Sequence, residues 1–236
     1  MKHQKLEREV LQNADITLTV SKKWKKDLDR LGAKRTELIT NGYDKTDFKV
    51  RSKKDDRFII GHYGLLNHLR NPKNLWRSLN ELCMQDKNFA SRLEIHLSGE
   101  IDRDVLNDIQ AYSQLNNKVK ELGYLSHTDV LHKYNETDIL LLLLFNSKSG
   151  IGNYPGKIFE YLAVKKPILA FGPQGSDVEN ILVDTNSGVY FSYDDLDLSS
   201  RILDLYENKQ QYKFSNIEQF SRERLTKELS DLLNSI

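Results

Sequence analysis

The chain has 236 residues, of which 39% are hydrophobic and 29% charged, with 35 basic against 34 acidic side chains. This near-balance excludes a chain-wide electrostatic grip on nucleic acid. The longest apolar run, 139–145, is far shorter than the roughly 20 residues of a bilayer span. A single cysteine, Cys83, can form no intrachain disulfide, and the N-terminal MKHQKLEREV lacks the apolar core of a signal peptide. A cytoplasmic protein without a transmembrane segment is therefore expected.

In chain order, the pattern predicts a helix over 5–13, a strand over 16–20, a helix over 23–31 and a strand over 37–40. The turn Asn41-Gly42-Tyr43-Asp44 follows, and 45–57 is charged and poor in apolar residues, as a linker is. Two α/β units cannot bury both faces of a sheet. Residues 1–52 thus read as the remnant of an N-terminal domain whose beginning is absent. From residue 57 strands are expected at 58–64, 93–98, 117–123, 138–145, 167–172 and 188–193. Helices fall between them near 72–86, 102–114, 127–136, 156–165 and 176–185. Strands separated by single helices imply right-handed crossovers and a parallel, doubly wound α/β sheet over 53–215. The run 139–145 is apolar at every position, so its strand should be central and covered on both faces. Pro72 behind Asn71 suits a helix start with an Asn cap, and 176–179 and 215–218 read as capping boxes. Residues 216–236 read as one long amphipathic helix.

Two segments carry the chemistry. The first, 146–160, follows the apolar strand and enters a helix. Its glycines allow backbone N–H groups to approach an anion at the helix N-terminus. Lys157 in the first helical turn opposes the helix dipole unless an anionic ligand is bound. Glu160, at i+3 from Lys157, projects to the same side and can accept two hydroxyl hydrogen bonds, as a ribose diol offers. The plainer alternative is a solvated Lys–Glu pair. The second segment, 61–74, also joins a strand to a helix and carries Gly64, Arg70 and Lys73. An arginine fork suits a diphosphate, whereas two solvated bases on a loop would do nothing.

These residues resemble the C-terminal, donor-binding portion of a GT-B fold, group 1 retaining glycosyltransferase. Three stretches carry the likeness: 14–21 with Ile39-Thr40-Asn41-Gly42-Tyr43-Asp44 and Phe48; 61–74; and 154–170, which is similar to the family's "P-x-K-x-x-E" donor segment. The resemblance implies a Rossmann-like domain that binds a UDP- or GDP-sugar and needs no cofactor. It faces an acceptor domain that is largely missing from the chain, so the chain alone should be inactive. It implies Glu160 at the ribose, Arg70 and Lys73 at the diphosphate, and Lys157 with the backbone of Asn153, Tyr154, Pro155 and Gly156 over phosphate or sugar. Tyr124 and Leu125 would lie beside the base, and Gly64 would border the diphosphate. Many relatives carry a second glutamate eight positions before the first, where this chain has Gly152. Surface polysaccharide or glycoconjugate synthesis, with an acceptor that can be lipid-linked at the inner membrane face, is the implied setting. The final helix of the family crosses back towards the first domain.

Other readings compete. The run 150–156 is G-x-G-x-x-x-G, one residue longer than the dinucleotide fingerprint, and the next strand ends in Phe171-Gly172-Pro173 rather than an acid. A non-catalytic nucleotide-binding module is a further alternative. Three Asp-x-Asp sequences, at 27–29, 102–104 and 195–197, match the letters of a metal-dependent transferase, but acids in first helical turns explain them without metal. His127 and His132, at i and i+5, diverge on a helix, and no structural metal is expected. The basic run 21–26 around Trp24 can touch an anionic membrane, or simply be a solvated helix face.

Overall fold

A computed structural model describes residues 2–48, 56–208 and 212–235. The first unit comprises α1 (Lys2–Asn13), β1 (Thr17–Thr19), α2 (Lys22–Leu31) and β2 (Thr36–Leu38), with β1 and β2 parallel. Ser21 caps α2, its hydroxyl accepting from the Trp24 N–H, and Gly32 ends the helix in the left-handed region. Part of the expected linker, 49–55, lies outside the described residues.

The second unit holds six strands: β3 (Phe58–Tyr63), β4 (Leu93–Ser98), β5 (Val119–Gly123), β6 (Ile139–Leu143), β7 (Ile168–Gly172) and β8 (Gly188–Ser192). They pair in the order β5-β4-β3-β6-β7-β8, all parallel. The helices are α3 (Lys73–Gln85), α4 (Lys87–Arg92), α5 (Arg103–Gln110), α6 (His127–Glu136), α7 (Lys157–Val164), α8 (Asp177–Thr185) and α9 (Ser199–Asn208). The strand order reverses between β3 and β6, a switch point whose crevice opens at the carboxyl ends of both strands.

The expectation for β6 is met. Every residue of β6 is buried, and alternate side chains enter different layers. Ile139, Leu141 and Leu143 pack with Leu75, Trp76 and Leu79 of α3, whereas Leu140 and Leu142 pack with Ile158, Phe159 and Leu162 of α7. Burying each leucine contributes roughly 1.5–3 kcal/mol.

The local corrections have local causes. Pro72, not Asn71, stands at the N-cap of α3, because the Asn71 side chain is used across the fold. It donates to Asp108 and accepts the Trp76 indole N–H at 2.7 Å. The expected helix over 216–236 is a 3-10 turn, Ile217–Phe220, followed by α10 (Arg222–Leu233). Asn216 adopts φ 55, and Ser221 pairs with Tyr43 as a parallel bridge, which requires extended backbone between the two helical pieces. Ser221 rather than Ser215 caps α10, accepting from Arg224. The bridge ties the C-terminal segment to the start of the chain: Tyr43 N–H donates to the Phe220 carbonyl at 3.0 Å, and Arg222 N–H donates to the Tyr43 carbonyl at 2.9 Å. Helices α4 and α9 were not anticipated from the pattern. No helix among the described residues is long and apolar enough to cross a membrane.

Candidate functional site

The two chemistry-bearing segments meet at the switch point. Segment 61–74 leaves β3 and segment 146–160 leaves β6, and these strands are hydrogen-bonded neighbours in register, Gly61 beside Leu140. Lys157, the first residue of α7, reaches back across the crevice and donates to the Tyr63 carbonyl at 3.0 Å. Gly64 makes room for it. A Cβ there would stand 2.8 Å from the Lys157 Nζ, and φ +143 independently requires glycine. Burial, reinforced by the nearby Arg70 charge, pushes the Lys157 pKa down to about 8.

Arg70 ends the 3-10 turn after β3. Its guanidinium lies over the Phe145 ring, 3.9 Å from the centroid, and Nη1 donates to the Leu65 carbonyl at 3.3 Å. Its Nε is buried without a hydrogen-bond partner among the described residues, and desolvation lowers its pKa. Beneath this pair, buried His62 has Nδ1 3.1 Å from the Leu141 carbonyl and Nε2 3.2 Å from the Leu65 carbonyl. Burial, with Lys157 nearby, pushes its pKa down to about 3, so the imidazole is neutral and donates to one carbonyl at a time.

Glu160, one turn along α7, is held rather than free. Its Oε2 accepts from the Tyr134 hydroxyl at 2.9 Å, and its Oε1 lies 3.3 Å from the His127 Nε2. Tyr134 is itself fixed edge-on between Tyr63 and Tyr161. His127 opens α6, directly after the β5–α6 turn that carries Leu125 and Tyr124, whose side chain is 92% exposed. Tyr124, Leu125, His127 and Glu160 thus form one end of the crevice, and Arg70 with Lys157 form its middle.

The other expected site residues are placed differently. Lys73, the first residue of α3, pairs through its exposed ammonium with Asp108 of α5 at 2.9 Å. Tyr154 is buried. Its ring packs against Phe159 and lines a cavity with Leu38, Phe220 and Leu225. Asn153 and Pro155 are partly exposed loop residues, and Gly156 caps α7 with open space at its Cα. Of the loop glycines only Gly156 is open to an incoming group. Gly150 is pressed against the Phe145 carbonyl and Pro173, and Gly152 against Trp24. Tyr134, His127, Phe145 and His62 are not marked as site residues by the sequence, where His127 reads only as a histidine without metal-ligand spacing. The carboxylate partners of Glu160 lie 26 and 33 residues away, and no local pattern signals such pairs.

One acid of each Asp-x-Asp sequence has a partner in the fold: Asp27 pairs with Lys23 and Arg30, Asp102 accepts from the His68 N–H, and Asp195 accepts from the Ser192 N–H. No group of three or more His, Cys, Asp or Glu poised for a metal occurs among the described residues.

The strand order and the crevice at its reversal define a Rossmann-like α/β domain of the GT-B type. Residues 44–223 match the family model "Glycosyl transferases group 1", and the chain belongs to that family. Solved structures agree on the fold. Sucrose-phosphate synthase from Thermosynechococcus elongatus is 17% identical with a TM-score of 0.72, the match covering 99% of this chain and 61% of that one. A glycosyltransferase from Rickettsia africae is 17% identical with a TM-score of 0.75, covering 98% and 66%. TarM of S. aureus, in a complex with UDP among other ligands, is 16% identical with a TM-score of 0.67, covering 99% and 47%. The chain therefore spans about half to two thirds of the length of these structures. No curated protein sequence matches it significantly.

Proposed function

We propose that this chain is the donor-binding half of a retaining glycosyltransferase that takes a nucleotide-diphosphate sugar. The convergence of Lys157 and Arg70 at the β3–β6 switch point carries the reading. Two cations share a partly buried basin, one of them in a helix's first turn, where only an anion makes the placement favourable. Glu160 would accept the ribose hydroxyls in exchange for His127, with Tyr134 holding its rotamer. Tyr124 and Leu125 would border the base. Departure of the nucleotide diphosphate would be eased by the charge of Arg70 and Lys157.

The dinucleotide alternative is weakened by topology. Its glycine fingerprint belongs after the first strand of the domain, whereas the G-x-G-x-x-x-G run here follows β6, and Gly150 and Gly152 are packed shut. The acceptor side would come from a facing domain, to which residues 1–52 contribute, so sugar transfer by these 236 residues alone should be slight. A cytoplasmic enzyme of polysaccharide or glycoconjugate synthesis, with an acceptor that can be lipid-linked, fits this reading. Thermal-shift and calorimetric titration with UDP, GDP, their sugars and NADH tests it. Stabilisation by a nucleoside diphosphate or its sugar is the expected result, and stabilisation by NADH alone would overturn it. Glu160→Ala should cost about 1.5–3 kcal/mol of nucleotide affinity without unfolding the domain.

A further inference from the structure

Trp24 belongs to α2, in the first unit, yet its indole rests on the loop that borders the crevice. The loop leaves Phe145 beneath Arg70 and returns at Lys157, and its middle residue Gly152 is buried against Trp24. A Cβ at position 152 would stand 2.9 Å from both Cδ1 and Nε1 of Trp24 and 3.0 Å from the Lys23 Cβ. Contacts of 2.9 Å are closer than carbon atoms tolerate, so no side chain fits at 152 while the indole is in place. The indole is fixed there by the backbone of its own helix. Lys23 N–H donates to the Asp177 carboxylate at 2.7 Å, and Asp177 N–H donates to the Ile151 carbonyl at 2.9 Å. Helix α2, helix α8 and the loop are thereby clamped together.

The direction of the loop decides what Trp24 faces. Glu160, His127 and Tyr124 mark the β5–α6 end of the crevice, and Arg70 and Lys157 its middle. The loop tip leans the other way, onto Pro173 and α8. A nucleotide sugar with its ribose at Glu160 and its diphosphate at Arg70 and Lys157 carries its sugar beyond the diphosphate, towards that tip. Trp24, seated against Gly152 of that tip, is 40% exposed, and its backbone N–H donates to Ser21 Oγ.

We propose that Trp24 is a specificity-determining residue: its indole, seated on Gly152, forms the wall of the sugar end of the crevice and receives the apolar face of a hexose ring. Recognition there is by stacking and one indole N–H, not by a carboxylate gripping hydroxyls. Aromatic contacts of this kind carry a sugar increment of severalfold in affinity rather than thousands. This inference rests on the nucleotide-sugar reading of the crevice.

Calorimetry on the whole chain separates the two. UDP, UDP-glucose, UDP-N-acetylglucosamine, GDP and GDP-mannose are titrated into wild type, W24A, W24F and G152A. Wild type is expected to bind one nucleotide sugar more tightly than its parent diphosphate. W24A should abolish that increment, by about fivefold to tenfold, with under about twofold change for the diphosphate. W24F should keep most of it. G152A, whose methyl displaces the indole, should lose it while Trp24 is still present. Should W24A prove unstable by its melting temperature, W24F and G152A carry the comparison. A sugar increment unchanged in W24A and G152A, equal losses for sugar and diphosphate, or no sugar increment in wild type would each overturn the proposal while leaving diphosphate binding intact. Failure of every nucleotide to bind wild type would remove the donor reading and this inference with it.

Discussion

Arg70 and Lys157 repel each other across a partly buried crevice, and that repulsion adds to desolvation in lowering the Lys157 pKa to about 8. An anionic diphosphate favours the ammonium. Below pH about 8 Lys157 is already charged, and affinity should be flat with pH. Above it, binding must recruit a proton, and affinity should fall by up to about tenfold per pH unit until the ordinary lysine range is reached. Calorimetry of UDP or GDP near pH 9, in buffers of different ionisation enthalpy, should register proton uptake. A flat profile between about pH 7 and 9.5 would show that Lys157 does not meet the phosphates. Glu160 offers a second test at this scale. Tyr134 acts through it as a positioning residue, donating to Oε2 from a packed aromatic stack. Tyr134→Phe keeps the stack and removes the hydroxyl. Nucleotide affinity should fall by about 0.5–1.5 kcal/mol, with little change in melting temperature.

At the scale of elements, β6 and α7 hold the site, and each invites a separate prediction. Leu142 lies fully buried against Phe159 and Leu162 of α7. Leu142→Ala should destabilise the chain by about 2–5 kcal/mol in denaturant unfolding, because the cavity cannot collapse between two helical layers. Helix α7 ends at Lys165 with φ 54, a left-handed conformation that costs a side-chain-bearing residue about 1 kcal/mol. Lys165→Gly relieves that cost. It should raise stability by about 0.5–1 kcal/mol, and with it the melting temperature, leaving nucleotide affinity unchanged because Lys165 stands at the far end of the helix from Lys157. The C-terminal segment shows how tertiary pairing overrides a periodic pattern. Its apolar spacing is nearly helical from 217 onward, but Ser221 is drawn into a bridge with Tyr43, and the helix starts only beyond it.

For the whole molecule, buried His62 sets a pH dependence of stability. Its pKa, pushed down to about 3, is below that of the unfolded chain, so the unfolded state binds the extra proton between pH about 6.5 and 3. Stability should therefore fall as pH drops through that window, by an amount that His62→Gln reduces in acid-unfolding titrations. Much of the architecture was legible from residues alone. The all-apolar 139–145 run placed a central strand with helices on both faces, and the glycine, lysine and arginine spacing marked both loops of the crevice. These features are written in local periodicity, which the chain carries whether or not it is folded. Partnership is different. Lys157 finds the Tyr63 carbonyl 94 residues away, Lys23 finds Asp177 154 residues away, and Lys73 pairs with Asp108 of α5. The glycines of 146–160 read in sequence as letting the backbone approach an anion, yet Gly152 is a closed packing position under Trp24. Sequence by itself determined most of the strands and which loops carry charge, and the motifs within 14–48, 61–74 and 154–170 carried the resemblance to the family. Only the tertiary structure decided which side chains share the crevice, because close contact between distant residues follows from how sheet order and helix layers stack, and no local spacing encodes it.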